Sequence, residues 1–472
     1  MAPNKKHYDA VVVGSGPNGL AAAITLSKKF PSVLLMEGKE TIGGGCRSAE
    51  LTLPGFVHDV CSTAHPLAIS SSFFKPLDLH RYGLSWINPE IPLAHPFEDG
   101  SAVFLHRSLD ITADALGRDG RTYKDLLTPF VEEHEKLLSA VLRPIPFPAY
   151  PILMAKFALW ALYSVKGLGE KKFVNHQTRT LFAGLAAHAM IPLHEPATAA
   201  FAIILSTLAH SVGWPFVKGG SQELSKALSC FFQDSGGEIL MGKPVHSLED
   251  MPQASYYYFD VTPRQLLNIR GLGLSEHYRH RLIGFRYGPG VYKMDWALRE
   301  PIPWKADICR KAGTVHLGNS YEEIATSVHC VNKGDISLSP YVMLAQQSLF
   351  DPSRSPEGKH TAWGYCHVPH GSDVDMADLI EHKIERYAPG FREIILARSA
   401  MSAKAMETYN PNYIGGDING GKQDIFQLYT RPVVSLNPYK TSQDNIFICS
   451  SSTPPGGGVH GLCGYYAARN IS

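Results

Sequence analysis

No two cysteines in this chain have C-x-x-C spacing: Cys46, Cys61, Cys230, Cys309, Cys330, Cys366, Cys449 and Cys463 are scattered along 472 residues. A zinc knuckle is thereby excluded and a disulfide scaffold disfavoured, so a reducing, cytoplasmic compartment is expected. An excess of one charge is also missing. Lys and Arg number 44 against 43 Asp and Glu, and without a basic stripe no nucleic-acid partner is expected. No clean apolar run of about 20 residues occurs, so no simple transmembrane helix is expected. The nearest stretch, residues 149–165, is interrupted by Pro151 and Lys156. No apolar leader precedes the first strand-like segment at Tyr8, so no secretory signal is expected. His188, His194 and His210 lack H-E-x-x-H spacing, and no metal site is expected.

What the chain does have is length for two cores and a composition, 44% apolar and 18% charged, that suits a folded protein. Its start is the most informative segment. Ala10, Val11, Val12 and Val13 form an uninterrupted apolar run, as in a parallel strand covered on both faces. Gly14-Ser15-Gly16-Pro17-Asn18-Gly19 follows, and then a helical stripe carrying Leu20 and Ile24. Gly14 permits a tight turn, Gly16 lets a pyrophosphate approach the backbone, and Gly19 lets helix and strand pack closely. The phosphates are then placed at the positive end of the helix. A second strand, Ser32 to Met36, ends at Glu37 and Gly38. Glu37 lies where an acid accepts from a ribose 2′-OH, and its charge disfavours a 2′-phosphate. The expected ligand is FAD or NAD(H) rather than NADP(H).

Further segments carry a resemblance. Gly43, Gly44 and Gly45 follow the acid, with Arg47 two places on. A strand and loop with Asp59 comes next, then a glycine turn, helix and strand ending near Val245, then the stretch Asp260 to Pro263. Near the C-terminus a strand at Ile446 to Ser450 leads to Gly456, Gly457, Gly458, Val459, His460 and Gly461 and a final helix. In this order the blocks resemble the phytoene desaturase-like, carotenoid oxidoreductase family of flavoproteins in the amine oxidase superfamily, nearly end to end, and its bacterial uncharacterised branch in particular.

The resemblance implies an α/β fold: a Rossmann-like FAD-binding domain with a glutathione-reductase-type βαβ core (residues 1–79, 215–269 and 421–472). A second, α+β substrate domain is inserted in two segments (80–214 and 270–420). It implies FAD, held by all the glycines just named with Ser15, Pro17, Asn18, Glu37, Gly38, Arg47, Val245, Val459 and His460. The final helix N-terminus is expected to face the flavin. Hydride is expected to pass between flavin N5 and a carbon of an apolar, isoprenoid, polyene or lipid-like substrate. The proton is assigned to His460, with a hydrogen bond to flavin or backbone as the other role for that imidazole. Trp296, Trp363, Tyr365 and His367, on two strand-like segments, are expected to face the substrate, with core packing as the alternative. The apolar helices of residues 151–210 suit a greasy substrate or peripheral membrane association. The electron acceptor, oxygen or a quinone, and the oligomeric state stay open.

Two rival readings are carried. An amine or amino-acid oxidase is one, although no lysine is assigned beside flavin N5. The other is a non-catalytic protein resembling the Rab GDP-dissociation inhibitors, which the intact Gly19 opposes.

Overall fold

The computed structural model describes residues 7–144 and 149–470. Residues 1–6, on which the expectation of no leader rests, lie outside them, as do 145–148 and 471–472.

Two sheets organise the described chain. The first is five-stranded and all parallel, in the order Ile446–Ile448, Gln253–Phe259, His7–Val13, Val33–Met36, Glu238–Leu240. Its first strand shows why an apolar run without alternation was legible as a central strand. Ala10 and Val12 pack into one apolar layer, while Val11 and Val13 pack into the other. Both faces are covered there, so every position from Ala10 to Val13 is apolar. Helices Pro17–Ser27, Gln222–Asp234 and Leu462–Arg469 cover one face. The last packs directly along the first, and a Cβ at Gly464 would stand 1.8 Å from the Asn18 carbonyl oxygen. The N- and C-terminal segments are therefore neighbours in the fold. This is the expected α/β, Rossmann-like domain.

The second sheet has seven strands, in the order Ile395–Met401, Gly290–Leu298, His360–Val368, Val342–Ala345, Ala312–Leu317, Ile91–Pro96, Ala102–Leu105. All pairs are antiparallel except Ile91–Pro96 with Ala312–Leu317. Asp295 pairs with Trp363, Lys293 with Tyr365, Tyr365 with Met343, and Met343 with His316. Side chains alternate between faces along a strand, so these residues share one face, that of the apolar layer formed with helices His176–Ala187 and Thr198–Ser211. The opposite face packs into a separate layer holding Tyr292, Met294 and Trp296.

Trp296 is thus a correction. It is fully buried in that outer layer and donates to Glu381 at 3.1 Å, away from any substrate face. The strand Gly290–Leu298 is buried at every position, so the alternation of Tyr292, Met294 and Trp296 with Lys293 and Asp295 separates its two faces without contrasting core with solvent.

Among the described residues no single helix is long and apolar enough to cross a membrane. Helices His176–Ala187 and Thr198–Ser211 are largely core, whereas Ile152, Leu159 and Leu162 near Pro151–Ala161 are exposed.

Candidate functional site

A cavity of about 670 Å³ lies between the two sheets, within the range of about 300–1,000 Å³ typical of ligand pockets. Its wall begins at the loop after the first strand, Gly14 to Asn18, and includes Glu37, Gly38, Gly44, Gly45, Arg47 and Val245. Ser450 to Ser452 and Gly458-Val459 reach the same wall from the other end of the sequence. Further wall comes from the side of the second sheet: Lys293, His316, Trp363 and Tyr365 on the seven-stranded sheet, and His188, Met190, Leu205 and Trp214 around the helices.

The cradle is a tight piece of backbone. Gly14 has φ +99°, a conformation L side chains rarely adopt. A Cβ on Gly19 would stand 1.9 Å from the Gly14 carbonyl oxygen, so helix and strand can meet only with glycine there. Pro17 opens the helix, where its missing N–H costs nothing. Glu37, at the end of the second strand, accepts from Ser15 N at 3.0 Å and from Lys39 N at 2.9 Å. It ties the phosphate loop to the neighbouring strand while remaining on the cavity wall. Arg47 donates through Nε to the Thr41 carbonyl at 3.1 Å and lies 3.4 Å from Glu37. It braces the glycine turn at the wall. Gly43 is off the wall: its missing Cβ leaves room for the Cys46 carbonyl and Ser225. Gly19 is off it as well, acting through packing.

Asp260 was not among the expected site residues. It ends the strand beside the first one, accepts from Gly19 N at 2.9 Å and lines the cavity. Burial, together with the charge of Glu37, pushes its carboxyl up to about 7.

The C-terminal turn differs from expectation. Gly458 and Val459 line the cavity, but Gly456, Gly457, His460 and Gly461 do not. His460 is fully buried, its Nδ1 accepts from Leu462 N at 3.0 Å, and its carbonyl accepts from Ser71. Burial pulls its imidazole down to about 4. His460 therefore braces the turn as a neutral group and is not placed to exchange a proton with the cavity. Gly461, which precedes the final helix, packs among Phe73, Phe74 and Ala21 and is off the cavity wall.

On the substrate side Trp363 and Tyr365 face the cavity as expected, with their rings edge to face at 5.2 Å. His367 shares their strand face but stands behind the wall, against Tyr341 and Tyr365.

The residue the sequence reading missed is Lys293. It is 1% exposed in an otherwise dry strand, lines the cavity and pairs with Asp295 two residues on. Burial pushes Asp295 up to about 6 despite the lysine. Asp295 in turn lies 3.6 Å from His58 Nδ1, and burial pulls His58 down to about 3. Two charges at i and i+2 inside a nine-residue apolar segment were the available signal, because a buried charge is rarely left without a purpose or a partner. Asp59 is structural. Burial opposes its ionisation, yet Arg354 at 2.6 Å, with Thr63 and Ser221 N, holds it well below the carboxylate range.

Comparison with known proteins bears on this arrangement. Residues 12–75 match the model of an NAD(P)-binding Rossmann-like domain. The chain is 24% identical to pyridine nucleotide-disulfide oxidoreductase domain-containing protein 2 of Mus musculus, over 99% of this chain and 94% of that one. It is 23% identical to a phytoene desaturase (lycopene-forming) of Paracoccus sp., over 96% and 95% respectively. Among solved structures, an oxidoreductase from Methanosarcina mazei superposes with a TM-score of 0.66 at 15% identity, covering 98% of this chain and 99% of that one. The likeness establishes a two-domain α/β fold with a Rossmann-like dinucleotide-binding domain.

Proposed function

We propose that this chain is an FAD-dependent oxidoreductase acting on a carbon–carbon bond of an apolar, isoprenoid or lipid-like substrate. The observation that carries the reading is the shared wall. The N-terminal phosphate loop, Glu37, Val245 and the C-terminal Gly458-Val459 border one cavity, which continues under the substrate sheet. A single elongated dinucleotide joins such remote segments.

The residues fit FAD on their own geometry. Gly14, Gly16 and Gly44 border the cavity as bare backbone that a phosphate can approach, and Glu37, just past the second strand on the same wall, is the acid that would accept from a ribose hydroxyl. Val245 would border the adenine, and Gly458-Val459 the flavin. Bound FAD would supply the two-electron chemistry, and the protein orients, desolvates and handles protons. The chamber's sheet face excludes water with Trp363, Tyr365, Met343 and Val291. Lys293 is the group on that face suited to hold or move a proton at Nζ, with Asp295 behind it to balance the charge.

An amine substrate fits less well. Glu37 and Asp260 are the carboxylates on the described wall, both at the phosphate loop. A cationic amine would meet the Lys293 ammonium with no carboxylate on the wall there to balance the added charge. A non-catalytic role is opposed by the cradle, which is intact down to Gly19.

The test is direct. The purified protein is expected to be yellow and to release FAD on denaturation. Anaerobic addition of an apolar lipid and isoprenoid extract is expected to bleach the flavin band, and polar amines are not. A colourless protein that stays colourless with added FAD would overturn the reading. The exposed Ile152, Leu159 and Leu162, with lysines close by, support peripheral membrane contact as part of the same reading. Failure to float with liposomes would remove that part alone.

A further inference from the structure

Four imidazoles gather beneath the substrate sheet, and two of them reach the cavity. His188, at the end of helix His176–Ala187, and His316, on strand Ala312–Leu317, line the wall with Nε2 atoms 3.2 Å apart. His95 and His367 stand behind them, with ring centroids 6.4 Å from His316 and 6.1 Å from Tyr341 respectively. Desolvation pulls His188 down to about 4 and His316 well below the ordinary imidazole value, so both are neutral near pH 7.

Neutral imidazoles obey a strict count. Each has one N–H and one bare nitrogen. In the His188–His316 pair one Nε2 donates and the other accepts. The donating ring then has a bare Nδ1, and the accepting ring carries its proton on Nδ1. Yet His316 Nδ1, His95 Nδ1 and both ring nitrogens of His367 are buried without a hydrogen-bond partner. A Cβ on Gly184 would meet His316 Nδ1 at 3.1 Å, Tyr341 Oη at 3.2 Å and His95 Nδ1 at 3.3 Å, so glycine lets these polar atoms close in on the helix behind the cavity wall. Leaving a buried donor or acceptor unpaired costs about 1–3 kcal/mol each, and such groups normally have a partner. No set of three or more His, Cys, Asp or Glu among the described residues is placed to hold a metal ion. The chemistry that matches is an oxygen able to accept and donate hydrogen bonds.

The geometry points to a substrate that is not a pure hydrocarbon: an apolar chain whose end carries oxygen, as alcohol, aldehyde or carboxylic acid, anchored on the His188–His316 pair. This deepens the oxidoreductase reading and rests on it. The anchor is not the reacting group. His316 lies three strands from Lys293 through Met343 and Tyr365, roughly 14 Å at the usual strand spacing. The oxygen end is held while a distant carbon lies by Lys293.

The test uses acyclic isoprenoids of ten and twenty carbons, each as hydrocarbon, primary alcohol, aldehyde and carboxylic acid. Binding to the flavin-loaded protein is measured by calorimetry, with bleaching of the flavin followed in the same samples. At least one oxygenated probe is expected to bind about tenfold or more tighter than its hydrocarbon. His316→Phe and, independently, His188→Leu are expected to abolish that preference while leaving hydrocarbon affinity within about threefold. Equal binding of hydrocarbon and oxygenated probes would mean that the imidazoles hold buried water only, and overturns the anchor. So does a preference that survives in both variants, or no binding by any oxygenated probe. Bleaching without end-group preference defeats the anchor alone. End-group preference without bleaching by any probe defeats the redox reading and leaves the binding site standing.

Discussion

Replacing Asp260 by Asn tests how the dinucleotide cradle is held together. The carboxyl lies against Gly19 N at 2.9 Å, buried and close to Glu37. Its folded value of about 7 stands against an ordinary 3.8. The sign follows from proton counting. Between pH 4 and 7 the unfolded chain has lost this proton and the folded chain keeps it, so this group's contribution makes stability fall as pH rises. Above pH 7 the loss is complete. About three pK units at 1.36 kcal/mol each make it about 4 kcal/mol. Asn keeps a carbonyl oxygen for Gly19 N and has no charge to bury. Urea unfolding followed by tryptophan fluorescence, from pH 4.5 to 8.5, gives the comparison. The difference, variant minus wild type, is expected to grow with pH by up to about 4 kcal/mol and to level off near pH 7. The buried histidines, whose depressed values add stability as pH rises, cancel in that difference. A difference that stays constant within about 0.5 kcal/mol across the range would refute the reasoning.

Lys293→Met is expected to keep bound flavin while slowing its reduction by about a hundredfold or more in anaerobic stopped flow; an unchanged rate would take the lysine out of the chemistry. His460→Ala strips the hydrogen bond to Leu462 N and opens a hole in the buried turn. It is expected to cost about 2–4 kcal/mol in denaturant unfolding with the reduction rate little changed; the reverse pattern would return His460 to the chemistry. Gly464→Ala drives a methyl group into the Asn18 carbonyl. Because Asn18 and Val459 line the same cavity, it is expected to lower both melting temperature and flavin content; a normal flavin-to-protein absorbance ratio would contradict the packing.

The chain alone determined the features that depend on near neighbours. An apolar run, glycines at fixed offsets, a helical stripe and a following acid specify strand, turn, helix and strand through contacts a few residues apart. Gly14 to Asn18 and Glu37 therefore stand on the wall that their pattern suggested, and Arg47 and Val245, which the family resemblance implied, stand there too. Trp363 and Tyr365, expected with Trp296 as aromatic residues of strand-like segments, line the same wall.

Tertiary structure decided what pairing and layer order control. Both faces of Gly290–Leu298 are buried, so the alternation of aromatic and charged residues divides the strand into two faces without contrasting core with solvent; layer order turned Lys293 inward and Trp296 outward. The glycine turn before the last helix predicts closeness to the cavity but not which peptide touches it, and packing against Phe73 and Phe74 turned His460 and Gly461 aside. His188 and His316 are 128 residues apart, and nothing local to either shows the other. Only the closing of a helix over a sheet brings the two rings within hydrogen-bond reach.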